Sequence, residues 1–239
     1  MKIALIGYGK MGKAIEEIAL KQGHEITVRI GSSGIHKNEE LLLHSSDVAI
    51  EFTHPSAVIK NLSHCFEVGM PVVCGTTGWN NHFEAVAELC QKKDGKFFYA
   101  SNFSLGVNIF FRLNEFLAKL MKNRRGYEVE MEEQHHIHKK DAPSGTAITL
   151  AETILENSEF KNKFSIQKSD NAEELFIRVI RENEIPGTHQ VVYRSDIDSI
   201  SISHRAHNRT GFATGAVLAA EFLVKQKPGI YAMNNLLQL

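Results

Sequence analysis

Residues 134–146 of this chain read Gln-His-His-Ile-His-Lys-Lys-Asp-Ala-Pro-Ser-Gly-Thr, with three histidines and two lysines in one short segment. Imidazole takes and gives protons near neutral pH. An adjacent ammonium lowers the cost of negative charge developing on a bound molecule. After this segment Ala147, Ile148, Ala151, Ile154 and Leu155 recur at helical spacing, so a helix starts here. Ser144 is its N-cap, and Pro143 is tolerated in its first turn. The free N–H groups of Gly145 and Thr146, flanked by Lys139 and by His135 and His136, make a seat for an anion such as a carboxylate. Three plainer readings compete: a solvated basic loop, a buried and satisfied histidine for one of the three, and a zinc site. The HHxH pattern lacks the i, i+4 spacing of a helical metal motif, and no carboxylate–cysteine set completes it, so no metal is expected.

A second chemical element stands at residues 7–12, Gly-Tyr-Gly-Lys-Met-Gly. A bare GxGxxG says little. Here it follows an apolar strand and opens an amphipathic helix, the context in which it binds a dinucleotide. Gly7 permits the tight turn, Gly9 lets backbone approach a pyrophosphate, and Gly12 lets helix pack on strand. An acidic residue that would hold ribose hydroxyls is missing after the second strand, where the chain reads Arg29-Ile30-Gly31-Ser32-Ser33. Arg29 and the two serines tilt the choice of cofactor toward NADPH, as groups able to receive a 2′-phosphate. An ordinary polar loop explains them equally well, so NADPH and NADH both stand.

These residues must be held by a scaffold, and its outline is legible. Strands are expected at 2–6, 24–30, 47–52, 71–74 and 96–100, alternating with helices at 14–22, 57–66 and 83–89. That alternation predicts a doubly wound parallel sheet. The character changes near Asn102. An apolar helix over 107–121 is followed by 127–134, where Tyr127, Val129 and Met131 alternate with Glu128, Glu130 and Glu132, a strand with one wet face. Further strands are expected at 175–180, 190–195 and 199–204, and an apolar helix at 213–224 suits packing back on the first domain. The fold class is therefore α/β: an N-terminal Rossmann-type parallel sheet plus an inserted α+β domain with an open mixed sheet. The dinucleotide-binding domain is placed at 1–104 and 209–239, and the substrate-binding and oligomerisation domain at 105–208.

Bulk properties narrow the class. With 239 residues, one α/β domain and a smaller insert fit the length. The formal net charge of −1 gives no electrostatic footprint for nucleic acid or an anionic membrane. No stretch approaches the roughly 18 apolar residues of a membrane span. Three cysteines, Cys65, Cys74 and Cys90, form no CxxC pair, which argues for a reducing, cytoplasmic setting.

The pattern as a whole resembles the dihydrodipicolinate reductase family (4-hydroxy-tetrahydrodipicolinate reductase). Residues 134–147, QHHIHKKDAPSGTA, match that family's E-x-HHxxKxDAPSGTA signature, supported by GYGKMG at 7–12, EFTHP at 51–55, CGTTG at 74–78, ASNFSLGVN at 100–108 and ISHRAHNRTGFATGAV at 202–217. The resemblance implies NAD(P)H-dependent reduction of a small cyclic dicarboxylate imine in the diaminopimelate route to lysine. It implies His135 as a catalytic proton donor or acceptor, Lys139 as a second proton donor, and His136, Gly145 and Thr146 as substrate contacts. It places the cofactor on Gly7, Tyr8, Gly9, Lys10, Met11 and Gly12, on Gly75, Thr76 and Thr77, and on Ala100, Ser101, Asn102 and Phe103. It also implies a homotetramer. Between residues 31 and 46 the chain is shorter than the family pattern, which touches the adenosine end of the site.

Overall fold

The computed structural model describes residues 1–35, 43–208 and 210–238, so the shortened stretch 31–46 lies partly outside the described residues. The chain divides into two compact units, Met1–Leu105 with Thr210–Leu239, and Gly106–Arg209.

In the first unit β1 (Lys2–Ile6), β2 (Glu25–Ile30), β3 (Val48–Glu51), β4 (Val72–Cys74), β5 (Lys96–Tyr99) and β11 (Gly229–Tyr231) form a sheet in the order β11-β5-β4-β3-β1-β2. All its pairings are parallel. The strands alternate their side chains between two apolar layers, as a sheet covered on both faces must. Ile3, Leu5, Val48, Ile50, Val73 and Phe98 face one core, together with α1 (Lys10–Lys21) and α6 (Thr210–Val224). Ala4, Ile6, Ala49, Val72 and Phe97 face the other, together with α2 (Pro55–Glu67) and α3 (Phe83–Lys92). The chain leaves β1 toward β2 on one side and returns to β3 on the other. That reversal opens a crevice at the carboxyl ends of β1 and β3, where ligands of such sheets bind. The strand β11 escaped sequence reading because three residues carry no alternation; it is followed by the short α7 (Met233–Leu237).

In the second unit β6 (Glu128–His135), β7 (Lys163–Ser165), β8 (Glu174–Arg181), β9 (Thr188–Arg194) and β10 (Ser199–Arg205) form a mixed sheet in the order β10-β9-β6-β8-β7. The β10–β9 and β9–β6 pairs are antiparallel, and β6–β8 and β8–β7 are parallel. One face is covered by α4 (Leu105–Met121) and α5 (Gly145–Glu156), whose Phe110, Ala118, Ala147, Leu150, Ala151 and Ile154 pack on Val129, Met131, Leu175, Ile177, Val191 and Tyr193. The alternation seen in the sequence continues past Met131, so Glu133 and His135 lie on this same covered face and both are buried. The core side of the sheet is thus apolar at one end and polar at the other.

Candidate active site

In the first unit the candidate nucleotide-binding residues sit at the carboxyl ends of the parallel strands. Gly7 adopts φ +98°, and a Cβ there would stand 2.0 Å from the Phe52 carbonyl oxygen, so only glycine makes this turn. A Cβ at Gly12 would meet the Gly7 carbonyl oxygen at 2.4 Å, which sets the close approach of α1 to the strand. Gly9, the N-cap of α1, has no atom within 4 Å of where a Cβ would stand. No side chain caps α1 and no acidic residue lies in its first turn. An exposed, uncapped helix start with its dipole unopposed fits a pyrophosphate. The neighbouring loops are tied to one another. Thr53 N donates to Thr76 Oγ1 at 2.8 Å, Trp79 Nε1 donates to the Thr76 carbonyl at 2.6 Å, and Phe52 packs on Phe103 at 5.6 Å between ring centroids. The expected cofactor residues 75–77 and 100–103 follow β4 and β5 and thus lie with 7–12 at the carboxyl ends of one sheet's strands.

Two features here were invisible in the sequence. Arg29 is not free: its Nε donates to Glu16 of α1 at 2.9 Å, and Tyr8 Oη donates to the same carboxylate. The Arg29 guanidinium also lies 5.9 Å from the Tyr8 ring centroid. This pairing with Arg29, and then the Tyr8 bond, hold the Glu16 carboxyl below its ordinary pKa. A carboxylate is thus brought beside the end of β2 from another element. The second feature is Glu51, fully buried at the end of β3, which accepts from Thr53 Oγ1, from Asn61 Nδ2 at 3.2 Å and from the Cys74 thiol at 3.3 Å. Asn61 Oδ1 accepts from Ile35 N at 3.0 Å, so one buried network joins the loops after β2, β3 and β4. Cys65, Cys74 and Cys90 are all buried and unpaired by disulfides, and burial pushes each thiol up, so none is a nucleophile at neutral pH.

In the second unit the candidate substrate residues stand on β6, the loop that follows it, and α5. Ser144 caps α5, its Oγ accepting from Ala147 N at 3.2 Å. Pro143 precedes this cap, one residue outside the helix rather than in its first turn, because the helix begins at Gly145. The N–H groups of Gly145 and Thr146 have no carbonyl a turn earlier to bond. Gly145 is exposed, with nothing within 4 Å of its Cβ position. Lys139 Nζ reaches both oxygens of Asp141 at 2.8 Å. His135 is buried, and that burial, reinforced by Lys139 and Arg181 against the pull of Glu133, pushes its pKa down to about 4. It is therefore a neutral imidazole at pH 7. His136 lies beside it in sequence, half-buried, its ring 6.2 Å from that of His138. His138 is exposed and faces Glu184 at 3.4 Å, so the third histidine of the cluster is a surface group.

Sequence reasoning passed over Glu133, Arg181 and His189. Glu133 is fully buried; His189, also buried, is pushed down to about 4 mainly by burial. The signal for Glu133 was its inward register, one alternation after Met131. Ligand atoms of Glu133, His135 and His189 lie within 4.8 Å of one another. Both Glu133 oxygens are engaged by protein donors, one of them a guanidinium at 2.7 Å, and that cation opposes a metal at the same place.

Two family models divide the chain: "Dihydrodipicolinate reductase, N-terminus" matches residues 1–103 and "Dihydrodipicolinate reductase, C-terminus" matches residues 106–237. A 4-hydroxy-tetrahydrodipicolinate reductase of Christiangramia forsetii is 48% identical over 237 residues, covering 99% of this chain and 98% of its own. One from Alkaliphilus oremlandii is 36% identical, covering 97% of this chain and 95% of its own. Among solved structures, the dipicolinate-bound dihydrodipicolinate reductase from Paenisporosarcina sp. TG-14 shares the fold with a TM-score of 0.79, at 20% identity over 98% of each chain.

Proposed function

The chain belongs to the dihydrodipicolinate reductase family, NAD(P)H-dependent oxidoreductases of the diaminopimelate route to lysine, and we infer that it reduces 4-hydroxy-tetrahydrodipicolinate to tetrahydrodipicolinate with the residues assembled above. The observation that carries this reading is the loop 133–147, whose family signature coincides with a capped but open helix start, a lysine and a buried neutral histidine.

The dinucleotide-binding part comprises 1–104 and 209–239, and the substrate-binding part 105–208. Residues 7–12 hold the pyrophosphate on the start of α1, and Gly75, Thr76, Thr77, Ala100, Ser101, Asn102 and Phe103 hold the nicotinamide end. Reduced nicotinamide, when bound, supplies the hydride. Gly145 and Thr146 grip one substrate carboxylate by backbone N–H and hydroxyl, and His136 contacts the same ligand; this orientation contributes a large part of the rate. Negative charge developing on the ring is met by Lys139, a cation that carries the proton needed to complete the reduction. His135, neutral in the ligand-free state, presents a ring N–H to the substrate and donates or relays the proton that hydride addition consumes. Arg29 is the group that would receive a 2′-phosphate, with Glu16 opposing it, and the cofactor is NADPH or NADH.

Self-association into a homotetramer belongs to the same reading. The uncovered face of the mixed sheet carries Glu130, flanked by Phe176 and Val192, and Glu132 opposite Arg178, with Arg194 opposite Glu128. Such a face is complementary to itself under a two-fold axis. Sedimentation at micromolar concentration tests it. No described helix is long and apolar enough to cross a membrane; three reduced cysteines suit the cytoplasm as the proposed location.

A coupled assay tests the activity. The substrate is made in situ from pyruvate and aspartate semialdehyde by the upstream synthase, and oxidation of NADPH and of NADH is followed separately. Oxidation that depends on this chain supports the assignment. None with either cofactor, in folded protein that binds both, removes it.

A further inference from the structure

Glu133 lies two residues before His135, on the same covered face of β6. Its two oxygens accept from different elements: Oε2 from Ser144 N at 2.9 Å, and Oε1 from the Arg181 guanidinium at 2.7 Å. Arg181, the β8 neighbour of His135 in the parallel register, also donates to the Asp141 carbonyl at 2.7 Å. Asp141 in turn holds Lys139. His189 is the β9 partner of Glu133; its ring stands edge-on to His135 at 5.1 Å between centroids, and its Nε2 is 3.1 Å from Ser144 Oγ.

A buried ion pair is a poor device for stability, because desolvating two charges costs about what their attraction returns. An apolar residue at 133 would continue the Val129–Met131 row and pack on α5 at no such cost. The carboxylate gains something else: through two steps it touches the strand that carries His135, the loop that carries Lys139 and the helix start that carries Gly145 and Thr146. We propose that Glu133, with Arg181 as counter-ion, is a positioning residue that holds these three elements in one reactive arrangement. The proposal rests on the reading of those residues as the substrate half of the site.

The isosteric change Glu133→Gln is sharply diagnostic. Both oxygens accept, so an amide must turn its NH2 toward one of two donors, Ser144 N–H or the guanidinium. Loss of the Glu133 charge also withdraws the influence that raises the His135 pKa, so its titration, read by ring 15N shifts, moves to lower pH; a residue that only packs would not move it.

The experiment uses the full chain and dipicolinate, a stable aromatic dicarboxylate, as probe. Dipicolinate affinity is measured by calorimetry, kcat and KM by the coupled assay, and NADPH binding by the fluorescence of Trp79. Glu133→Gln is expected to keep NADPH affinity and lose roughly tenfold or more in dipicolinate affinity, with kcat falling as well. Should Glu133→Gln fail to fold, Arg181→Lys serves instead: it keeps the charge but not the fork that reaches Glu133 and the Asp141 carbonyl together, and the same loss is expected. A Glu133→Gln or Arg181→Lys enzyme within twofold of wild type overturns the proposal. Wild-type protein that neither binds dipicolinate nor turns over overturns the functional reading itself, which is a separate failure.

Discussion

The glycines of residues 7–12 separate what the fold needs from what a ligand needs, and Gly9→Ala makes the distinction measurable. Gly9 has φ −91° and ψ −151°, a conformation open to alanine, and no atom stands within 4 Å of the added methyl. Two small effects on stability oppose each other. The unfolded chain loses freedom, which stabilises by about 0.4–1 kcal/mol; alanine is a poorer N-cap than glycine by a similar amount. The variant should therefore stay within about 1 kcal/mol of wild type. Gly12→Ala differs, since its methyl would stand 2.4 Å from the Gly7 carbonyl oxygen and α1 must shift, at about 1–3 kcal/mol. Cofactor affinity should show the opposite emphasis for Gly9. The methyl occupies the space a phosphate oxygen must enter, and one lost charge-assisted hydrogen bond of about 1.5–3 kcal/mol weakens binding roughly ten- to hundredfold. Urea denaturation gives the first quantity. Fluorescence gives the second, because the chain has one tryptophan and Trp79 is bonded to the Thr76 carbonyl in a proposed cofactor loop. If Gly9→Ala unfolds as readily as Gly12→Ala, the fold and not the ligand requires the glycine. If it binds NADPH with wild-type affinity, the pyrophosphate does not lie there.

Three further outcomes follow from the geometry. His135→Gln should lower kcat by roughly 100-fold or more with the fold intact, while Lys139→Ala should lower kcat and raise KM together because a cation facing a carboxylate is lost; unchanged turnover in either removes that residue from the chemistry. Glu16→Gln should raise the ratio of NADPH to NADH affinity several-fold, since a negative charge beside Arg29 disfavours a 2′-phosphate, and an equal change for both cofactors would show that Arg29 does not receive it. Stability should fall as pH drops from about 6.5 to about 4, because buried His189 stays neutral in the folded protein while the unfolded chain takes up a proton throughout that window. The gap corresponds to about 3 kcal/mol. Urea midpoints of His189→Gln should therefore depend less on pH there than those of wild type, and identical slopes would refute this.

Much of the protein was written locally. The GxGxxG between an apolar strand and an amphipathic helix, the alternation over 127–131 and the run from His135 to Thr146 each act over a few residues, and period and turn chemistry are local properties. They placed β1 and β6, the Ser144 cap and the histidine–lysine run before it. Other features had no local trace. Whether the imidazole of His135 is charged depends on burial and on Glu133, Lys139 and Arg181 around it. That Arg29 is already paired depends on Glu16, thirteen residues away on another element. Glu133 looked like one more acid in YEVEMEEQ, yet register turned it inward, where burial raises its pKa and hydrogen bonds from Ser144 and then from Arg181, forty-eight residues later, bring it below the ordinary value. Spacing along the chain tells which face a side chain takes; only the packed fold brings together partners distant in sequence, and those partners set its charge, its orientation and its part in the chemistry.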